Sequence, residues 1–394
     1  MIKTYTTIFL ASALLSSSLF AKEKVTTPKK TYTAQWQKVY GQKDDDIANA
    51  VIMLEGGHTA VAGTCKSFNA ERSDICVTRL NEKGQTIWRK MLGGKKTDKA
   101  VAISRAKDGN LLVLGDSKSF KKHDGQDIYV AKVSLDGKLI WENSLGGDRD
   151  DFAAGIAGTD DGGALLVGDS ESFSKKGYRD IYIVRLDKNG KMLTGKTIGG
   201  KLNDEANALT RTADGNFIMA GSREIRSSGD ADFFLMKLNQ KGEKIWARTL
   251  GEKYNDVLHA IAPTPDGGIV ATGKTRSYNS AQTDLPIMHF NKDGKLIWFK
   301  IYGFAYYDEG NAITMTKDGN YMVAGRTNSM GKGNFDNYVL SLDRKGQLLW
   351  SGMYGGENQD VAHGITRTTD GAVVIVGESD SYSRSKKFFM IKLK

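Results

Sequence analysis

Aspartate returns along this chain every 52 or 53 residues, at Asp46, Asp98, Asp151, Asp204, Asp256, Asp308 and Asp360. Carboxylates gathered at one mouth of a channel could bind cations. Short acidic side chains also accept backbone N–H bonds in turns, and a position filled in every repeat favours that structural use. Three residues after each aspartate the residue type changes: Asn49, Val101, Ala154, Asn207, His259, Asn311 and His363. Function usually breaks symmetry. The candidate ligand-binding set is therefore Asn49, Asn207, His259, Asn311 and His363 together with Asp256, Asp308 and Asp360. The competing expectation is polar groups satisfied by water in a central tunnel. No metal site is assigned, because His259 and His363 stand two repeats apart. The stretches "KDDD" (43–46) and "DRDD" (148–151) lack the spacing, glycine and terminal glutamate of a calcium loop. There is no GxSxG elbow, HExxH, phosphate loop or dinucleotide fingerprint, so no catalytic residue and no cofactor is assigned.

These positions need a repeating scaffold. Tryptophan stands at 36, 88, 141, 246, 298 and 350, and the missing member of the series is Thr194 in "KMLTGKTIGG". After each aspartate comes a glycine turn, such as "DGN" or "DGG", which supplies the positive φ of a tight hairpin. An apolar run follows ("LLVLG", "ALLVG", "VVIVG"), then a polar loop, then "DIYVAKV" or "DFFLMKL", then a second glycine turn leading into the tryptophan strand. Runs apolar at consecutive positions belong to strands buried on both faces. Four-stranded units of about 50 residues with both faces covered are β-propeller blades. The chain is therefore expected to be all-β, a single seven-bladed β-propeller over 34–394. The last repeat stops after its third strand, at "KFFMIKLK", and the first opens early with "TAQWQKVYG" (33–41). Placing that early strand beside 387–394 completes the last blade and closes the ring, removing an exposed sheet edge. The tryptophans are expected to pack between blades. Thr194 should leave a weaker contact unless a neighbour fills the gap.

Residues 34–394 resemble secreted bacterial β-propeller repeat proteins, and the turns "LDKNGKML" and "LDRKGQLLW" are similar to the tryptophan motif of quinoprotein-type propellers. The resemblance implies blade architecture. The Thr-Gly usual in quinoprotein turns is absent, as is the adjacent-cysteine disulfide of some of those enzymes, so no catalytic or cofactor residue is carried over.

Two cysteines, Cys65 and Cys76, replace the residues that the other repeats hold in two columns, and both do so in the same repeat. Residues on neighbouring strands would vary together in this way, and a disulfide between them is expected in an oxidising compartment. Residues 1–21 read as a signal peptide, with Lys3 ahead of "TIFLASALLSSSLFA", and 22–33 as a polar leader. No later segment approaches 18 apolar residues, so the mature chain is expected not to span a membrane and to be periplasmic or secreted.

The net charge is +10, and the loops between second and third strands carry bases, among them Lys121, Lys122, Lys175 and Lys176. A basic rim would favour a protein partner or an acidic glycan. Nucleic acid is not expected, since no aromatic-basic stacking platform is present. The functional expectation is a monomeric, exported, non-catalytic binding or scaffold protein working through one propeller face. The rival is a propeller enzyme, a glycan hydrolase or lyase or a quinone-dependent dehydrogenase, using the polar central channel.

Overall fold

The computed structural model describes residues 31–394 except 69, 71, 121–124, 175–177, 226–228 and 279–281. Its strands form seven four-stranded antiparallel sheets, the blades of a β-propeller. Blades one to six span residues 46–92, 98–145, 151–198, 204–250, 256–302 and 308–354. Blade seven takes Asp360–Arg367, Val373–Ser379 and Lys387–Leu393, and its outer strand is Ala34–Tyr40 from the beginning of the chain. Among the described residues no helix is long and apolar enough to cross a membrane.

Burial follows the sequence pattern. The second strand of blade seven, Val373–Ser379, is buried at every position, whereas the outer strand Met192–Ile198 of blade three is exposed over its first five. Each second strand lies mid-blade with another blade on either face, which is why it carries no polar alternation. The apolar core is correspondingly divided into seven layers, one per seam between blades.

Closure is antiparallel, with Trp36 opposite Lys392 and Tyr40 opposite Phe388. The pairing continues past the strand, since Thr33 N–H donates to Lys394 O at 2.9 Å and Lys394 N–H to Thr33 O at 3.0 Å. Tyr32 is buried, with its ring 5.2 Å from that of Trp350. At the end of the polar leader segment Tyr32 is thus packed into the ring, and Thr33, itself exposed, is tied to it by backbone hydrogen bonds. The signal-peptide segment 1–21 and residues 22–30 lie outside the described residues.

The tryptophans are halves of a clasp between blades. In five seams the turn glycine before an outer strand receives the indole of the preceding blade: Gly84 receives Trp36, Gly137 Trp88, Gly190 Trp141, Gly294 Trp246 and Gly346 Trp298. A methyl group on Gly190, which has φ +83°, would come within 2.7 Å of the Trp141 ring. The indole N–H of Trp88 donates to Leu135 O at 2.9 Å, that of Trp141 to Lys188 O at 3.1 Å and that of Trp298 to Arg344 O at 3.0 Å. The phrase "DGKLIW" recurs because it writes both partners, a turn that accepts an indole and an indole for the next turn. Trp350 meets Tyr32 instead.

Cys65 and Cys76 form a disulfide joining the second and third strands of blade one, with Cα atoms 5.9 Å apart.

Candidate functional site

The seven aspartates open the innermost strands, and all are at most 1% exposed. Their carboxylates bind the bend and loop around them. Asp98 accepts Gly94 N–H at 2.8 Å and the Ser119 hydroxyl at 2.6 Å, with Ser117 on its other oxygen. Asp256 accepts Glu252 N–H at 3.2 Å and Ser277 at 2.9 Å, and also Thr275. Asp308 takes Phe304 N–H and Ser329, both at 2.8 Å. Asp360 takes Gly356 N–H at 2.9 Å and Ser381 at 2.6 Å. The repeated serines of the "GDSKSF" type are donors to these carboxylates, while Asp151 Oδ1, Asp308 Oδ1 and Asp360 Oδ1 are buried without a hydrogen-bond partner among the described residues. Burial pushes the Asp256 carboxyl up to about 6, against the pull of Thr275 and Ser277.

The variable position three residues on has a structural signature that the sequence did not reveal. In every blade the register between first and second strands slips there, so Asn49, Val101, Ala154, Asn207, His259, Asn311 and His363 are the extra residues of seven β-bulges. A bulged residue is unpaired in the ladder and its side chain is re-aimed. The bulge also explains the glycine ending each apolar run. At Gly221 an added Cβ would run into the carbonyl oxygen of Glu205 on the bulged strand.

The bulge side chains bind neighbouring strands. Asn207 Nδ2 donates to Leu258 O in blade five at 2.9 Å, and Asn311 Nδ2 to Ala362 O in blade seven at 2.9 Å. His259 bridges in the same sense, to the Gly310 backbone and the Asn311 side chain of blade six. Burial pushes its imidazole down to about 4, with Glu309 pulling up and Lys274 pushing further down. Asn49 turns to its own blade and accepts from Thr64 Oγ1 at 3.0 Å. His363 Nε2 lies 3.8 Å from Glu378 Oε2, and Lys386 Nζ holds the other oxygen at 2.8 Å. Burial of Glu378 raises its carboxyl, but His363 and Lys386 more than offset this and it ends below the ordinary range. The structure thus brings His259 and Asn311 into contact and distributes Asn49, Asn207 and His363 among separate partners. Among the described residues no three His, Cys, Asp or Glu side chains are arranged to hold a metal ion.

Beyond the bulges the far end of the channel is a cavity of about 590 Å³ lined by aliphatic residues such as Ile103, Ile156, Ile261, Ile313 and Ile365, with Arg105 and Arg211 also in its wall. On the opposite face, where the innermost strands begin, a groove of about 520 Å³ separates blades five and six. Lys274, Arg276, Tyr307, Glu309 and Arg326 line it, with Arg326 Nη2 held by Glu309 at 2.9 Å. Lys121, Lys122, Lys175 and Lys176 of the expected basic rim lie outside the described residues.

Two features escaped the sequence reading. One is a column of buried bases on the third strands, each paired with an aspartate of the first hairpin turn: Lys132 with Asp108 at 2.7 Å, Lys237 with Asp214 at 2.6 Å and Lys392 with Asp370 at 2.9 Å. The in-step recurrence of base and turn aspartate was the available signal. The other is a set of exposed aromatic residues on the face where the innermost strands begin: Phe120, Phe173, Tyr254, Tyr306, Tyr307 and Tyr382.

No family model matches the chain. The regulatory protein FlaEY of Caulobacter vibrioides is 24% identical over 228 residues, which cover 49% of this chain and 24% of that protein. The chain thus spans about a quarter of that relative's length. Among solved structures, the Neurospora crassa Pan2 WD40 domain superposes with a TM-score of 0.56 at 10% identity, covering 93% of this chain and 96% of that one. YCF48 bound to D1 peptide gives 0.52 at 14% identity, covering 93% and 97%. The propeller of the Trilobed protease from Pyrococcus furiosus gives 0.50 at 14%, covering 92% and 96%. That propeller has an open velcro topology; here residues 34–40 close the ring. At these identities the likeness is one of fold.

Proposed function

We propose that this chain is an exported, non-catalytic binding protein that engages a protein partner through the face where its innermost strands begin. The observation that carries the reading is the set of exposed aromatic rings on that face, with Tyr307 lining the groove between blades five and six and Tyr254 and Tyr306 in the loops that lead into these blades. Exposed aromatic side chains of this kind are enriched in protein interfaces. Lys274 and Arg276 in the groove, with the loop bases at Lys121, Lys122, Lys175 and Lys176, favour an acidic partner surface. Export is supported by the segment 1–21 and by the disulfide. YCF48, a propeller of the same fold, binds a peptide. In the channel, Asn207, Asn311 and His259 are engaged by neighbouring strands.

The test is cross-linking in the source cells, comparing the natural chain with Tyr254→Ser/Tyr306→Ser/Tyr307→Ser. The expected result is one stoichiometric protein partner, lost in the variant while melting is unchanged. Retention of that partner by the variant would overturn the assignment of the face. An acidic glycan captured in place of a protein would keep the face and change the partner.

A further inference from the structure

Thr194 leaves an open notch where every other outer strand has an indole. Its volume is about 460 Å³, and Arg185, Leu193, Thr194, Gln240, Lys241 and Glu243 are among its lining residues. Of the receiving half, the carbonyl remains open, while the glycine is covered by aliphatic side chains of blade three. Gly242, with φ +77°, occupies the place of Gly137 and Gly190 and faces Leu165 and Ile183 rather than an indole. The carbonyl at the accepting position is that of Gln240. In sibling seams this oxygen takes two donors: Leu135 O accepts from Trp88 Nε1 at 2.9 Å and Arg79 Nη1 at 2.8 Å, and Lys292 O from Trp246 Nε1 at 3.3 Å and Lys237 Nζ at 3.2 Å. Gln240 O accepts from Arg185 Nε at 3.0 Å, and a carbonyl oxygen has a second lone pair for the indole that Thr194 does not supply. Arg185 is the cross-strand neighbour of Thr194, as Lys132 is of Trp141, so a ring entering the notch lies beside a guanidinium.

We propose that this notch binds an indole side chain presented by an extended segment of a partner polypeptide. The protein supplies its own template for the ligand, because the sibling seams hold indoles on the carbonyl equivalent to Gln240 O. A polypeptide source follows from the strand beside the notch. Among the described residues Met192–Ile198 is the only outer strand exposed over five consecutive residues, and its outer edge pairs with no described strand of its own sheet. Met192 and Leu193 are exposed on it, 48% and 53% respectively. An added strand can pair with such an edge while its side chain enters the adjacent pocket. The notch lies toward the face opposite the aromatic groove, so this site stands or falls separately from the loop-face reading.

The experiment titrates the full chain with N-acetyl-tryptophanamide, with N-acetyl-leucinamide, and with a ten-residue extended peptide centred on tryptophan, mapping amide shifts by NMR. Thr194→Trp fills the notch from within, and Thr194→Phe serves if the larger ring disturbs the fold. The expected result is millimolar binding of the tryptophan amide with shifts at Leu193 and Lys241, about tenfold tighter binding of the peptide, and loss of both by about tenfold or more in the filled variant. Equal binding by natural and filled chains, or equal binding of the leucine amide, overturns the site. A peptide no tighter than the amide overturns the polypeptide source.

Discussion

The indole of Trp141 in blade two lies on Gly190 in blade three, and its N–H donates to Lys188 O two residues earlier in the same turn. Packing and hydrogen bond together make the seam a reciprocal device. Trp141→Thr copies the natural gap at Thr194 into the neighbouring seam and should cost about 3 kcal/mol. Thr194→Trp should restore the missing clasp and add about 1–2 kcal/mol. Urea unfolding midpoints with an unchanged slope check both.

Ring closure makes a second prediction. Tyr32 packs on Trp350 in the seam between blades six and seven. Tyr32→Ala should cost about 3 kcal/mol. A chain beginning after Gly41 should lose cooperative melting and associate, since the strand Lys387–Leu393 then has an open edge. A truncated chain that stays monomeric and melts at the original temperature would contradict the closure.

The disulfide bridges positions eleven residues apart, so Cys65→Ser/Cys76→Ser should lower stability by about 2–3 kcal/mol. Peptide mapping without reductant should find the link in protein taken from its own compartment, and free thiols at both positions would contradict it.

His259 gives a pH dependence of definite sign. Its folded value of about 4 lies below the ordinary 6.5 of an unfolded chain. Between those values the unfolded chain holds a proton that the folded chain does not, so this residue makes stability fall as the pH drops from about 6.5 to about 4. Asp116 and Asp256, both raised to about 6 by burial, act in the opposite sense over much of that range. The prediction is therefore a difference: His259→Asn should gain stability relative to the natural chain on going from pH 7 to pH 4. Melting curves in matched buffers measure it, and parallel pH profiles would contradict it.

Blade number, strand order and closure were legible because they rest on period, turn glycines and doubly buried runs, which are local properties. The pairing of Cys65 with Cys76 was legible because two columns changed in one repeat. The bulges were not, because alanine, asparagine and histidine all occupy that position and hydropathy does not mark an extra residue. Only the glycines opposite, such as Gly221, carried the signal. Nor could sequence tell that His259 meets Asn311 while His363 meets Glu378, since ring radius and rotamer decide it. Tyr254, Tyr306 and Tyr307 were passed over because they sit in loops outside the repeating columns.

Native mass spectrometry of the protein isolated from its own source tests the central claim most directly. The predicted spectrum shows a protein bound to this chain, absent when Tyr254, Tyr306 and Tyr307 are replaced by serine and retained when His259 and His363 are replaced by alanine. A bound small molecule or chromophore that survives the tyrosine changes and disappears with the histidine changes would contradict the account and place the activity in the channel.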